Sequence, residues 1–260
     1  MASNHIKLIV TDLDDTFLRR DKVISERAKS VLERCRERGI LVAIATARTE
    51  KVAERFSRQI NPEVIISDMG ALARRGSQVL FKAPIPPDVF PVLLQRCLND
   101  ARVLHITLQA ENGYFSSRPF DGAGWEDYAH SVTTDLSKLA DHGDIYRITI
   151  KMEGNETPQA IIDGFPTVCA TSFRYENWHS LHALNTSKES ALRAVAGVLN
   201  IPIENVASFG DDTSDIGMLC AAGIGVAVQN AIPEVKAAAD YVCGDCDDDG
   251  VVKWIEENIL

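Results

Sequence analysis

The chain has 260 residues, 45% of them apolar and 25% charged, which suits one large domain or two smaller ones with a sizeable core. Its formal net charge of −10 excludes the clustered basic face of a nucleic-acid binder and disfavours an anionic membrane surface, so an anionic substrate must be held by local positive charge. No apolar run is long enough to span a bilayer, and the six scattered cysteines suit reduced core thiols better than a disulfide scaffold.

Met1 to His5 has no basic stretch, and the apolar run behind it breaks at Asp12, so no signal peptide is expected and a cytoplasmic protein is. Ile6 to Thr11 reads as a buried strand that ends abruptly in Asp12, Asp14 and Asp15. Ser25 and Glu26 open a helix with Ala28, Val31, Leu32 and Cys35 at helical spacing, closed by Gly39. Leu41 to Ala45 is a second buried strand, ending in Thr46, Ala47 and Arg48. A helix follows from about residue 50, then a third strand at Val64 to Ile66, ending at Ser67 to Gly70. Alternating strands and helices with apolar strands predict a parallel sheet with right-handed crossovers.

Pro84, Pro86 and Pro87 form a stiff junction, and beyond them the strands alternate in polarity, which marks a second domain. Its expected elements are a helix from Asp88 to Leu98, strands at Val103 to Leu108 and Tyr114 to Ser117, and a helix around Trp125. Polar residues 135 to 144 read as a loop, followed by strands at Ile145 to Lys151, Thr167 to Phe173 and Trp178 to Leu184, with a short helix from Thr157. The first texture then resumes. Thr186 to Glu189 looks like a capped helix start, Val206 to Phe209 is a strand ending in Gly210-Asp211-Asp212-Thr213-Ser214-Asp215, and a short strand and two helices close the chain. The expectation is an α/β protein: a Rossmann-like parallel sheet built from residues 1–83 and 185–260, with residues 84–184 inserted as an α+β domain.

Several strand ends in a parallel sheet lie along one edge, so Asp12, Asp14, Thr46 and Asp211 are expected to converge there. Oxygen-only ligation by few protein groups suits Mg²⁺.

Asp12-Leu13-Asp14-Asp15-Thr16, Thr46 after a buried strand, Lys188 at a helix start and Gly210-Asp211 followed by Asp215 resemble, in order and spacing, the four motifs of haloacid dehalogenase-like phosphatases. The insert between the second and third motifs resembles the large cap of the Cof-type, sugar-phosphatase-like branch, and the closing segment with Gly225-Val226-Ala227 and Asn230-Ala231 also fits. The resemblance implies that Asp12 is the nucleophile and Asp14 the general acid and then base. It also implies that Thr46 and Lys188 hold phosphate oxygens, and that Arg48 and Asn230 contact substrate. Mg²⁺ would be held by Asp12, the Asp14 carbonyl and Asp211, with Asp215 behind them orienting Lys188 or a metal-bound water. The implied partner is a small phosphorylated metabolite such as a sugar phosphate, for a monomer or small homo-oligomer. A phosphomutase using the same aspartyl phosphate and a non-catalytic phosphometabolite-binding module are the alternatives. Ala47, Met69, Glu189 and Ser214 depart from residues common in the family, and Met69 and Ser214 leave substrate contacts open.

Taken singly the residues say less. Asp12 alone is a turn former, Thr46 a helix cap and Lys188 a solvated surface residue. Asp245 to Gly250 with Glu256 matches a calcium-loop spacing, but the preceding segment reads as strand, so these acids are expected at the start of the last helix. Cys243 and Cys246 lack the second pair or the histidine that a zinc site needs.

Overall fold

A computed structural model describes residues 5–120, 130–173 and 177–260. It divides into two compact units, residues 1–82 with 187–260, and residues 83–186.

The first unit begins with strand β1 (Leu8–Thr11), helix α1 (Glu26–Glu37), β2 (Leu41–Ala45), α2 (Glu50–Ile60), β3 (Val64–Ser67), β4 (Leu72–Arg75) and β5 (Gln78–Lys82). The inserted unit contains α3 (Phe90–Asn99), β6 (Val103–Ala110), β7 (Gly113–Ser116), β8 (Val132–Thr133), β9 (Ile145–Met152), α4 (Gln159–Ile162), β10 (Val168–Ser172) and β11 (Trp178–Ala183). The first unit then resumes with α5 (Lys188–Val198), β12 (Val206–Gly210), α6 (Ile216–Ala221), β13 (Ile224–Ala227), α7 (Pro233–Ala238), β14 (Tyr241–Val242) and α8 (Gly250–Asn258).

Among the described residues the first unit holds one eight-stranded sheet in the order β14-β13-β12-β1-β2-β3-β4-β5. From β14 to β3 every pairing is parallel, as expected from the alternation of elements. β4 and β5 extend it as an antiparallel hairpin that the sequence pattern did not reveal. Their apolar residues, Leu72-Ala73 and Val79-Leu80-Phe81, come in runs of two and three between Arg74, Arg75, Gln78 and Lys82, too short to mark strands by pattern alone.

Alternation along the central strands decides what covers each face. Ile9, Val42, Ile44 and Phe209 point into a core shared with α1, α2 and α8, while Leu8, Val10, Ala43 and Ala45 meet Ala191, Leu192 and Val195 of α5. Both faces are therefore buried, which explains why these strands are mostly apolar, with Thr11 and Ser208 as buried polar residues. Each fully buried Leu or Ile side chain contributes about 1.5–3 kcal/mol relative to exposure.

Among the described residues the inserted unit holds a six-stranded sheet, β10-β11-β9-β6-β7-β8, antiparallel except between β7 and β8. Ile106, Leu108, Ile148, Ile150 and Leu181 on one face pack with Phe90, Leu93 and Cys97 of α3 and Ile161 of α4. The other face is polar: Thr107, Thr149 and Ser180 form a cross-strand row beside Gln109, and all four are buried. The helix expected around Trp125 lies outside the described residues.

Candidate active site

The parallel strands deliver their last residues to one edge. Asp12 follows β1, Thr46 follows β2 and Asp211 follows β12, and the Asp12 amide donates to Phe209 O, the Thr46 amide to Ile66 O. Lys188 arrives from elsewhere as the first residue of α5. Its N-cap, Ser187, accepts from the Ser190 amide at 3.0 Å while the Ser190 hydroxyl accepts from the Ser187 amide at 3.1 Å.

A lysine at a helix N-terminus opposes the helix dipole and needs compensating anions. It has two. Lys188 Nζ donates to Asp12 Oδ1 at 2.5 Å and to Asp215 Oδ1 at 2.6 Å, and all three side chains are buried. The other Asp215 oxygen accepts from the backbone amides of Asp211 and Asp212, both at 3.1 Å, so this carboxylate is bonded at both ends. Gly210 makes the approach possible, since a Cβ there would lie 2.4 Å from Asp215 Cβ. Asp211 accepts from the Thr16 hydroxyl at 2.6 Å.

Electrostatics follow from burial and crowding. Desolvation pushes the Asp12 carboxyl well up, with Lys188 opposing and Asp215 and Asp211 adding to the rise. Burial, with Asp215 nearby, lifts Asp211 to about 6 despite the Thr16 hydrogen bond. Lys188 is shifted upward because the two aspartates outweigh its desolvation. One oxygen from each of Asp12, Asp211 and Asp215 lies within 4.8 Å of the others. Three carboxylates against one ammonium leave this all-oxygen cluster anionic, which fits a hard divalent cation such as Mg²⁺.

Asp14 lies outside that cluster. Arg48 grips it in a two-pronged ion pair, Nε to Oδ2 at 2.6 Å and Nη2 to Oδ1 at 2.9 Å, and Lys22 Nζ adds a contact at 2.8 Å. Burial would raise the Asp14 pKa, but these two cations lower it to about 2. Arg48 therefore engages a side chain of its own chain here. Asn230 likewise serves the backbone: its amide nitrogen donates to Asp15 O at 2.6 Å and its oxygen accepts from Cys246 N at 2.9 Å, tying the acidic loop to the C-terminal segment. Thr46 is buried, its hydroxyl accepting from the Arg48 amide at 3.1 Å.

Two contributors carried no sequence signal of their own: Thr16, and Lys22 as a partner of Asp14. Thr16 stood within the acidic motif, which was the one available hint. The other candidates settle into structural roles. Asp249 is the N-cap of α8 and Asp245 and Asp247 lie just before it, so these acids stand at the start of the last helix, where Asp245 and Asp247 also pair with Arg20 and Asp249 with Arg19. Cys243 and Cys246 are buried free thiols, pushed up by burial to about 12 and about 11. Three buried histidines of the inserted unit, which the sequence places in its strands, are also bonded: His105 meets Ser116, His179 meets Ser172 and Asn177, and His182 meets Thr171 and Cys169.

Comparison with known proteins agrees with this architecture. YkrA of Bacillus subtilis is 26% identical over 260 residues, covering 96% of this chain and 97% of that protein. The 5-amino-6-(5-phospho-D-ribitylamino)uracil phosphatase YitU of Bacillus subtilis is 25% identical, with 96% of each covered. A solved structure of a subclass IIB sugar phosphatase superposes with a TM-score of 0.79 at 24% identity, over 96% of this chain and 98% of that one. The family model described as haloacid dehalogenase-like hydrolase matches residues 9–255, nearly the whole chain. With that match, the chain belongs to the haloacid dehalogenase-like hydrolase family.

Proposed function

We propose that this protein is a Mg²⁺-dependent phosphatase that hydrolyses small phosphorylated metabolites, sugar phosphates first among them, through a phosphoryl group carried on Asp12. The observation that carries the reading is the buried Asp12–Lys188–Asp215 chain beside Asp211. It joins a carboxylate nucleophile, a fixed ammonium and an oxygen-only cation site at one sheet edge. The name of YitU points to a phosphate monoester on a polyhydroxylated carbon chain, which supports that substrate class.

An Asp12 oxygen attacks phosphorus, the bond from phosphorus to the leaving oxygen breaks, and that oxygen takes a proton from Asp14. Asp14 then removes a proton from water, the water oxygen attacks phosphorus, and the bond to Asp12 breaks to release phosphate. Thr46 and Lys188 hold the transferred oxygens. Held ionised by Arg48 and Lys22, Asp14 is in the form needed to take the proton from water. To donate in the first step Asp14 takes up a proton from solvent, which requires it to leave Arg48 and Lys22 when substrate arrives.

Asp12, Asp211 and the Asp14 backbone carbonyl would hold Mg²⁺, while Asp215 orients Lys188 and the 211–212 backbone. When bound, the ion neutralises charge on the phosphoryl oxygens. All these parts are needed, since phosphate monoester hydrolysis can demand up to ~10²¹-fold acceleration and one general acid or base supplies roughly 10²–10⁴-fold. The inserted domain is assigned leaving-group selectivity, with the polar row Thr107, Thr149 and Ser180 as the first positions to vary. The six free cysteines suit a cytoplasmic setting.

The test is a phosphate-release screen over phosphorylated metabolites with and without Mg²⁺, using wild type and Asp12→Asn. Wild type is expected to need the ion, and Asp12→Asn to lose at least about 10³-fold in kcat. Near-wild-type turnover in Asp12→Asn would falsify the mechanism, and transfer to a second sugar in place of phosphate release would make the enzyme a mutase.

A further inference from the structure

The loop after β3 sits between two of the groups assigned to the phosphate. Asp68 and Met69 both have left-handed backbone angles, φ 52° and 61°, which side chains other than glycine adopt at a cost. The loop is tied down at two points: the Asp68 amide donates to Arg48 O at 2.9 Å and the Met69 amide to Thr46 O at 3.2 Å. Gly70 follows at φ +95°, pressed against the peptide that joins Ser187 to Lys188. A Cβ on Gly70 would lie 2.2 Å from Ser187 O, 2.3 Å from Ser187 C and 2.7 Å from Lys188 N. Those atoms are backbone at a capped helix start, so no side-chain rotation relieves the overlap.

We propose that Gly70 is a positioning residue for the phosphate site: through the tied 68–70 loop it sets the height of the Ser187–Lys188 peptide against the Thr46 turn. The inference rests on the reading that Lys188 holds phosphate oxygens. Lys188 Nζ is shared between two buried carboxylates at hydrogen-bond distance, so a shift of its backbone by about an ångström strains that pair of bonds or moves the ammonium relative to the phosphoryl oxygens. Misplacement on that scale can cost about 10²-fold in rate. The strained pair before Gly70 has the same logic: the chain turns abruptly there so that a side-chain-free carbon reaches the peptide.

The experiment compares Gly70→Ala, Gly76→Ala and Lys188→Met with wild type, reading p-nitrophenyl phosphate turnover with Mg²⁺ and competitive inhibition by inorganic phosphate. Gly76 also has a left-handed angle, φ +57°, but a Cβ there meets nothing within 4 Å, so its variant isolates backbone strain from displacement. An inhibition constant does not depend on the folded fraction, so a purely structural defect leaves it unmoved. Gly70→Ala is expected to lose about 10²-fold in kcat/KM and to bind phosphate more weakly, while Gly76→Ala keeps both values despite a lower Tm. Unchanged phosphate inhibition and kcat/KM in folded Gly70→Ala overturn the inference. Should Gly70→Ala fold only in part, phosphate inhibition is read on its folded fraction at lower temperature, and a wild-type inhibition constant there overturns the inference equally. Activity retained in Lys188→Met would sink the underlying reading, whereas loss there with wild-type behaviour in Gly70→Ala sinks the positioning role alone.

Discussion

Lys188 Nζ lies 2.5 Å from Asp12 Oδ1 and 2.6 Å from Asp215 Oδ1, one buried ammonium shared between two buried carboxylates. Removing it leaves two like charges facing each other without water. Lys188→Met is expected to lose about 3–5 kcal/mol of stability at pH 7, the range for breaking a buried pair from one side. Urea unfolding monitors this, and adding Mg²⁺ should recover part of the loss, because a cation at Asp12 and Asp211 supplies the missing positive charge.

The raised Asp211 pKa of about 6 predicts a pH-dependent demand for metal. The carboxylate, not the acid, binds a cation, so a proton competes below pH 6 and not above it. The Mg²⁺ concentration for half-maximal activity should be level above about pH 7 and rise by about tenfold per unit below the pKa. Half-saturation measured at pH 5 and pH 7.5 decides it, and equal values would remove Asp211 from the metal site.

Arg48 holds Asp14 ionised, which carries a stability signature of the opposite sign. A depressed folded pKa contributes stability that is complete above the ordinary carboxylate value of 3.8 and is lost as pH falls through about 2. Arg48→Met should therefore unfold at lower urea than wild type at pH 7, and the gap should narrow as pH drops from 4 toward 2. Asp14 is partly solvated, so the gap is small and a constant one across that window argues against the ion pair.

Asn230 joins two loops whose ends lie 215 and 16 residues away in sequence. Asn230→Ala leaves the Asp15 carbonyl and the Cys246 amide without their partner, at about 1–3 kcal/mol. Thermal unfolding should show the loss, and the activity that remains should keep its wild-type KM, because the side chain serves the loop. A raised KM with unchanged Tm would instead favour the substrate contact implied by family resemblance.

The α/β class, the parallel core and the strand ends that gather the acids were legible because they are local properties. Uniform apolarity over Leu8 to Val10 and Leu41–Ala45 records burial on both faces, and the polar residues that follow record where each strand emerges. The hairpin β4–β5 was not legible, since its apolar runs of two and three residues are broken by Arg74, Arg75 and Gln78 and are too short to set a period.

Side-chain pairing was decided only in three dimensions. Lys188 and Asp12 are 176 positions apart and Thr16 and Asp211 are 195 apart, separations at which spacing carries no geometric information. Sequence determined that carboxylates would crowd one sheet edge. The tertiary structure decided that Asp215 spends both oxygens on Lys188 and its own loop, that Arg48 turns inward to Asp14, and that Gly70 lies under the Lys188 peptide. The reason is physical: local patterns record which residues leave water, whereas pairing depends on how closely backbones approach, and here a missing Cβ sets that distance.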